Sequence, residues 1–174
     1  PGWTFYLWND IDCKDMKPDA SGALIKALPE GVTFDGKGYV LHNLMLDFEH
    51  IGPSSGLVGL IGEIRGGWLR NLHLDFVTVR NMDVDTPSGC IAGRISSGQI
   101  FDCTVREAKM MCRGGVAGGD MAGCKFHGMV QAKEMQDETE WGYKKIVNGV
   151  VGRMPSDFKG TVANDIINRV FITD

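Results

Sequence analysis

The chain has 174 residues, of which 43% are hydrophobic and 23% charged, with a formal net charge of −4 and a pI near 5.5. Length and composition fit one globular domain with a real core. The acidic balance argues against a nucleic-acid or anionic-membrane partner, which would ask for a basic patch, and no apolar run reaches the length of a transmembrane helix, so no membrane insertion is expected.

Taken in order, residues 1–33 read as an N-terminal capping region. The chain opens at Pro1 without a visible signal peptide, so it is read as a mature form or as a piece of a longer protein, 1–174 forming one domain. Trp3 and Trp8, with Trp68 further on, are read as capping or packing residues. SGALIKAL (21–28) is one of two helix candidates; AKEMQDETEW (132–141) is the other.

From residue 34 to 163 the chain repeats itself. LHNLMLDF (41–48) returns as LRNLHLDF (69–76), and IFDCTV (100–105), MAGCKF (121–126) and FKGTVA (158–163) follow with similar spacing. Aligned this way, one column holds Asn43, Asn71, Asp102, Gly123 and Gly160, the residue types that accept a left-handed backbone at low cost. One position later stand Leu44, Leu72, Cys103, Cys124 and Thr161; two beyond that, Leu46, Leu74, Val105, Phe126 and Ala163. Alternation of apolar and polar positions after a bend is the period of a strand with one face inside. A second motif, two apolar residues and a glycine, recurs as GLVG (56–59), CIAG (90–93), GVAG (115–118) and GVVG (149–152). Residues 164–174 read as a last strand or partial cap.

Coils of this length hold a few short strands and cannot bury an inner face alone; stacking buries it. The expected fold is all-β, a right-handed parallel β-helix (β-solenoid) of about five coils with short capping segments. Leu44 is expected on Leu72, Leu46 on Leu74, and Asn43 over Asn71 in an amide ladder. An antiparallel sandwich would have no reason to repeat the same wall in register, and a doubly wound α/β fold would need helices between its strands.

The glycine-bounded motifs followed by LRNL and IFDC resemble those of the GLUG-motif proteins. FYLWNDID (5–12) resembles that family's first strand, and FDGKGYVLHNL (34–44) its turn into the first full coil. The resemblance implies a repeat module of a bacterial cell-surface or secreted protein, adhesin-like, acting as scaffold or binding surface rather than as an enzyme. The chain departs from the pattern in the shortened MAGCKFHG copy, in the long polar stretch between Met129 and Gly149, and after Gly152, where Pro155 interrupts it.

Few residues suggest chemistry, and no catalytic set, metal site or cofactor is expected. Phosphate-loop, nucleophile-elbow and zinc-protease motifs are absent. Five cysteines (Cys13, Cys90, Cys103, Cys112, Cys124) form no C-x-x-C and are read as buried small hydrophobes, with Cys103 and Cys124 as thiols stacked in one inward column. The insert QDETEWGYKKI (136–146) offers Trp141 and Tyr143, flanked by Glu138 and Glu140, as a binding loop for a host protein or glycan. An outward column of Asp47, Asp75, Arg106 and His127, with Asp47 stacked on Asp75, is the alternative face; Asp83 and Asp85 of NMDVDT lie in sequence near the same edge. Such a face would suit a polysaccharide lyase or glycosidase, the runner-up to a binding module; a phage tail-type β-helix is a third reading. The leading reading places the protein outside the cell or on its surface.

Overall fold

The computed structural model describes residues 2–18, 22–48, 56–81, 86, 88–111, 114–115, 118–121, 124–135, 151–153 and 161–162, with side chains as far as residue 106. Among them every regular element is a strand, and no helix is long and apolar enough to cross a membrane. The strands fall into successive rounds along the chain. The first holds β1 (Trp3–Tyr6) and β2 (Ile11–Asp12). The second holds β3 (Ala23–Pro29), β4 (Val32–Asp35), β5 (Val40–His42) and β6 (Met45–Phe48). The third is carried by two long bent strands, β7 (Gly59–Arg70) and β8 (His73–Asn81). The fourth opens with β9 (Ser88–Gly89) and runs through β10 (Ala92–Met111). Then come β11 (Gly114–Gly115), β12 (Gly118–Met121), β13 (Cys124–Met135), β14 (Val151–Arg153) and β15 (Thr161–Val162).

All strand pairs are parallel, and nearly all of them join one sheet that curls into a half-barrel. The register resolves it into four rows. The first stacks β3, the start of β7, the start of β10, β12 and β14. The second stacks β1, β4, the end of β7, the middle of β10, β13 and β15. The third runs β2, β5, β8, β10, and the fourth β6, the end of β8, the end of β10. Residues 3–35, which span the expected capping region, contain β1 to β4, and these pair in the same rows. The helix candidate SGALIKAL is corrected: Ala23–Pro29 is a strand, with Ala23 and Leu28 buried. Its i, i+4 spacing fits a helix, but pairing with β7 satisfies the backbone and buries the same residues. Of AKEMQDETEW, residues 132–135 belong to β13 and the rest lies outside the described residues.

Inward positions stack as columns of like side chains. Leu28, Ile64 and Ile95 form one; Phe34, Leu69 and Ile100 another; Leu41, Leu74 and Val105 a third. Their members in β7, β8 and β10 are sealed from solvent, each worth roughly 2–3 kcal/mol of burial.

Corners are where the sequence turned out subtler than expected. Asn43, Asn71 and Asp102 all have positive φ (58°, 50°, 50°), as their residue types suggest. Yet the two octets are not successive rungs of one row. Leu41 pairs with Leu74, and Met45 with Thr78, which sets Asn43 beside Phe76, not Asn71. Leu46 pairs with Val79 rather than with Leu74. LHNLMLDF turns from the third row into the fourth; LRNLHLDF turns from the second into the third. Both corners use one local recipe: an apolar residue, a left-handed Asn, then strand alternation. Similar letters therefore report similar bends, and the stacking register is set by the longer closure of each round.

The glycine motif shows the same slip. Ala92 pairs with Ile61 and with Gly118, so Gly93 aligns with Gly62 of GLIG (59–62), not with Gly59 of GLVG. A Cβ on Gly62 would sit 2.7 Å from the Lys26 carbonyl oxygen, and one on Gly93 would sit 3.0 Å from that of Gly62. Close approach of successive rungs excludes a side chain at this column. The proposed corner residues Gly123 and Gly160 lie outside the described residues.

Candidate functional site

Parallel pairing in this register puts outward residues of successive rungs side by side, and the charges on them alternate. Asp35 is the direct ladder partner of Arg70, Asp47 of Arg80, and Asp75 of Arg106. Arg80 grips Asp47 with two hydrogen bonds, Nε donating to Oδ1 at 2.9 Å and Nη2 to Oδ2 at 2.6 Å. Arg106 Nη2 lies 3.4 Å from Asp75 Oδ2, and His42 Nδ1 lies 3.9 Å from the same oxygen on the other side.

Two carboxylates also hold corners. Asp12 accepts the Lys14 backbone N–H (3.1 Å) and the side-chain amide of Asn43 (3.0 Å). Asp35 repeats this, accepting the Lys37 N–H (2.9 Å), the amide of Asn71 (3.1 Å) and Arg70 Nε (3.0 Å). In each case an Asp-x-Lys bend on one round is fastened to the left-handed Asn of the next. Asp35 is only 2% exposed. Burial pushes its carboxyl up, but the Lys37 N–H, the Asn71 amide and the Arg70 and Lys37 charges together outweigh it and leave it below the ordinary carboxylate value. Asp12 is likewise lowered, chiefly by Asn43. The amide ladder expected between Asn43 and Asn71 is thus replaced by two Asn–Asp clasps.

The expected outward column Asp47–Asp75–Arg106–His127 is corrected accordingly. Asp75 and Arg106 are neighbours in the third row. Asp47 stands in the fourth row on Arg80, so it is not stacked on Asp75. His127 belongs to the second row, beside Phe101. One carboxylate between two basic groups remains where a stacked pair of carboxylates was expected. The binding-loop residues Trp141, Tyr143, Glu138 and Glu140, and Asp83 and Asp85, lie outside the described residues.

Cysteine follows the same lesson. Cys13, Cys90 and Cys103 are buried. Burial pushes the Cys103 thiol up to about 12, so it has almost no thiolate at neutral pH. Its ladder partner is Gly128, while Cys124 pairs with Gly98, so the two cysteines do not share a column. Among the described residues no group of three or more His, Cys, Asp or Glu is placed to hold a metal.

A different surface was not anticipated. Trp3, Trp8 and Trp68, expected to cap or pack, are largely exposed. On the outer face of the second row one column runs Tyr6, Asp35, Arg70, Phe101 and the next runs Thr4, Thr33, Trp68, Gln99. Trp68 (49% exposed) and Phe101 (47%) flank the Asp35–Arg70 pair, and Lys37 Nζ sits 4.5 Å from the centre of the Tyr6 ring. Exposed aromatics separated by charged pairs form an amphipathic strip. Trp68 in GGWLR and Phe101 in QIFDC each stand as a single aromatic, so only the register brings them with Tyr6 onto one row. Comparison with family models, with curated proteins and with solved structures returned no match.

Proposed function

We propose that this chain is a non-catalytic repeat module, a right-handed parallel β-helix of about five coils of the GLUG type, belonging to a bacterial cell-surface or secreted protein. It presents an outer face to a host protein or glycan. The carrying observation is the contrast on that face. Its carboxylates at Asp35, Asp47 and Asp75 are each engaged by an arginine one rung away, a use that ties the stack together. The aromatics Tyr6, Trp68 and Phe101 are left exposed on one row, in keeping with a contact strip. The test is a glycan array and a pull-down from host extract with the wild-type chain and a Trp68→Ala/Phe101→Ala variant. Binding that drops at least about tenfold in the variant supports the strip; binding unchanged removes it.

One observation favours a second reading. Asp75 lies between the His42 imidazole and the Arg106 guanidinium on one outward row, a set that a polysaccharide lyase or glycosidase could use. New reducing ends or unsaturated products from acidic or neutral polysaccharides, lost in Asp75→Asn, would establish it. Their absence leaves the trio as a structural ladder.

A further inference from the structure

The outer face of the second row carries more positive charge than its ladder needs. Two cations share the single carboxylate of Asp35. Arg70 Nε bonds Oδ2 at 3.0 Å, and Lys37 Nζ lies 3.8 Å from the same oxygen. Oδ1 is taken up by the Lys37 N–H and the Asn71 amide. The negative charge is buried and the positive ones are not: the Arg70 and Lys37 side chains are 42% and 51% exposed, against 3% for Asp35. Two positive charges against one negative leave an excess of one, presented to solvent and held in place from below.

The Arg70 fork is also only partly used. Arg80 gives Nε and Nη2 to Asp47, one to each oxygen. Arg70 bonds Asp35 through Nε alone among the described residues, which anchors the guanidinium and leaves its Nη nitrogens for a second acceptor. A guanidinium edge of this kind matches a planar carboxylate, two N–H groups to two oxygens. The register then sets rings around it. Phe101 is the ladder partner of Arg70, about 5 Å away on the next rung; Trp68 stands two residues before Arg70 on the same face, about 7 Å along the strand, with Gln99 as its own partner. Two rungs and two columns thus bring together a cation, an amide and two exposed rings.

We infer that this block binds a carboxylate-bearing sugar of a glycan, a uronic or sialic acid residue. Its carboxylate lies on Arg70 and Lys37, and its ring on Trp68 or Phe101. The inference rests on the outer-face reading above and chooses the acidic glycan from the partners named there. A sugar ring offers an apolar C–H face to an aromatic ring and hydroxyls at its rim for Gln99. An acidic sugar carries that face and a carboxylate in one residue, separated on the scale of the ladder spacing. A dense polyanion does not suit the site. Only one positive charge is in excess, Asp102 stands exposed at the corner after Phe101, and the whole chain carries −4.

Calorimetry on the full 174-residue chain tests it, with sialyllactose and a glucuronic acid-ended disaccharide against lactose and sulfated lactose. The wild type should bind one of the two carboxylated sugars at least about tenfold more tightly than lactose. That preference should vanish in both Lys37→Gln and Arg70→Gln, with circular dichroism unchanged in at least the exposed Lys37 variant, and binding should fall in Trp68→Ala/Phe101→Ala. Sugar binding that is equal for lactose and both acids, or confined to sulfated lactose, overturns the inference. So does binding of the acids indifferent to Lys37 and Arg70, or an acidic peptide or oligonucleotide held as tightly as the sugar. In these cases the outer-face reading survives wherever binding still falls in Trp68→Ala/Phe101→Ala. Capture of a host protein alone through that pair leaves the reading and removes the acidic sugar; no ligand sensitive to the pair removes both.

Discussion

Phe5 and Ile100 occupy the same inward column, three rungs apart, and could hardly differ more. Ile100 has strands on both sides and is fully buried; Phe5, among the described residues, has a strand on one side and is more than half exposed. The side chain's chemistry is similar in the two places, so the difference comes from stacking alone. A single round of this chain encloses nothing, and a core exists only where a round is covered above and below. The interior of β7, β8 and β10 is therefore the stable centre, while the first round depends on what covers it.

Substitution sharpens that contrast. Leu69→Ala, in the sealed centre of the Phe5 column, should cost about 3–5 kcal/mol, read from urea unfolding by circular dichroism. Phe5→Ala should cost less than about 1 kcal/mol. Equal losses at the two sites would contradict the difference in burial between Leu69 and Phe5.

Asp35 comes next in size. Replacing it with Ala leaves the Arg70 guanidinium, the Asn71 amide and the Lys37 N–H without their shared acceptor. About 2–3 kcal/mol should be lost, the Arg70 charge being partly exposed and so partly screened. Because the folded carboxyl lies below its unfolded value, its contribution is complete above about pH 4 and fades as the pH falls through the folded pKa. Acid titration of unfolding should show this loss in the wild type and a smaller one in Asp35→Asn. A further expected effect is a gain. Phe76 holds φ at 57°, a conformation costly for a bulky side chain, in the position that Asn43 fills comfortably one round earlier. Its ring is largely exposed, so Phe76→Asn should stabilise by about 1 kcal/mol.

Particular residues show how far the letters could be read. Strand alternation and the left-handed bends at Asn43, Asn71 and Asp102 are local properties, and the sequence carried them openly. Parallel stacking followed from repetition. Register did not, because two corners of one round share the recipe seen in LHNL and LRNL, and because GLVGLIG holds two overlapping copies of its glycine motif. The alignment of LRNLHL with IFDCTV held, and with it the Asp75–Arg106 neighbours, but other readings moved with the register: Asp47 onto Arg80, Cys103 away from Cys124, His127 into another row. The Asn–Asp clasps were hidden for the same reason, although Asp-x-Lys at 12–14 and at 35–37 marked both of them.

The register itself can be measured directly. Met45 and Thr78 are ladder partners in the fourth row, whereas likeness of the two octets would set Met45 against His73. Chains carrying Met45→Cys/Thr78→Cys or Met45→Cys/His73→Cys are treated with a short bis-methanethiosulfonate reagent, and the linked peptides are mapped by mass spectrometry. The stacking described above predicts efficient linkage of 45 to 78 and little of 45 to 73; the reverse pattern would contradict it.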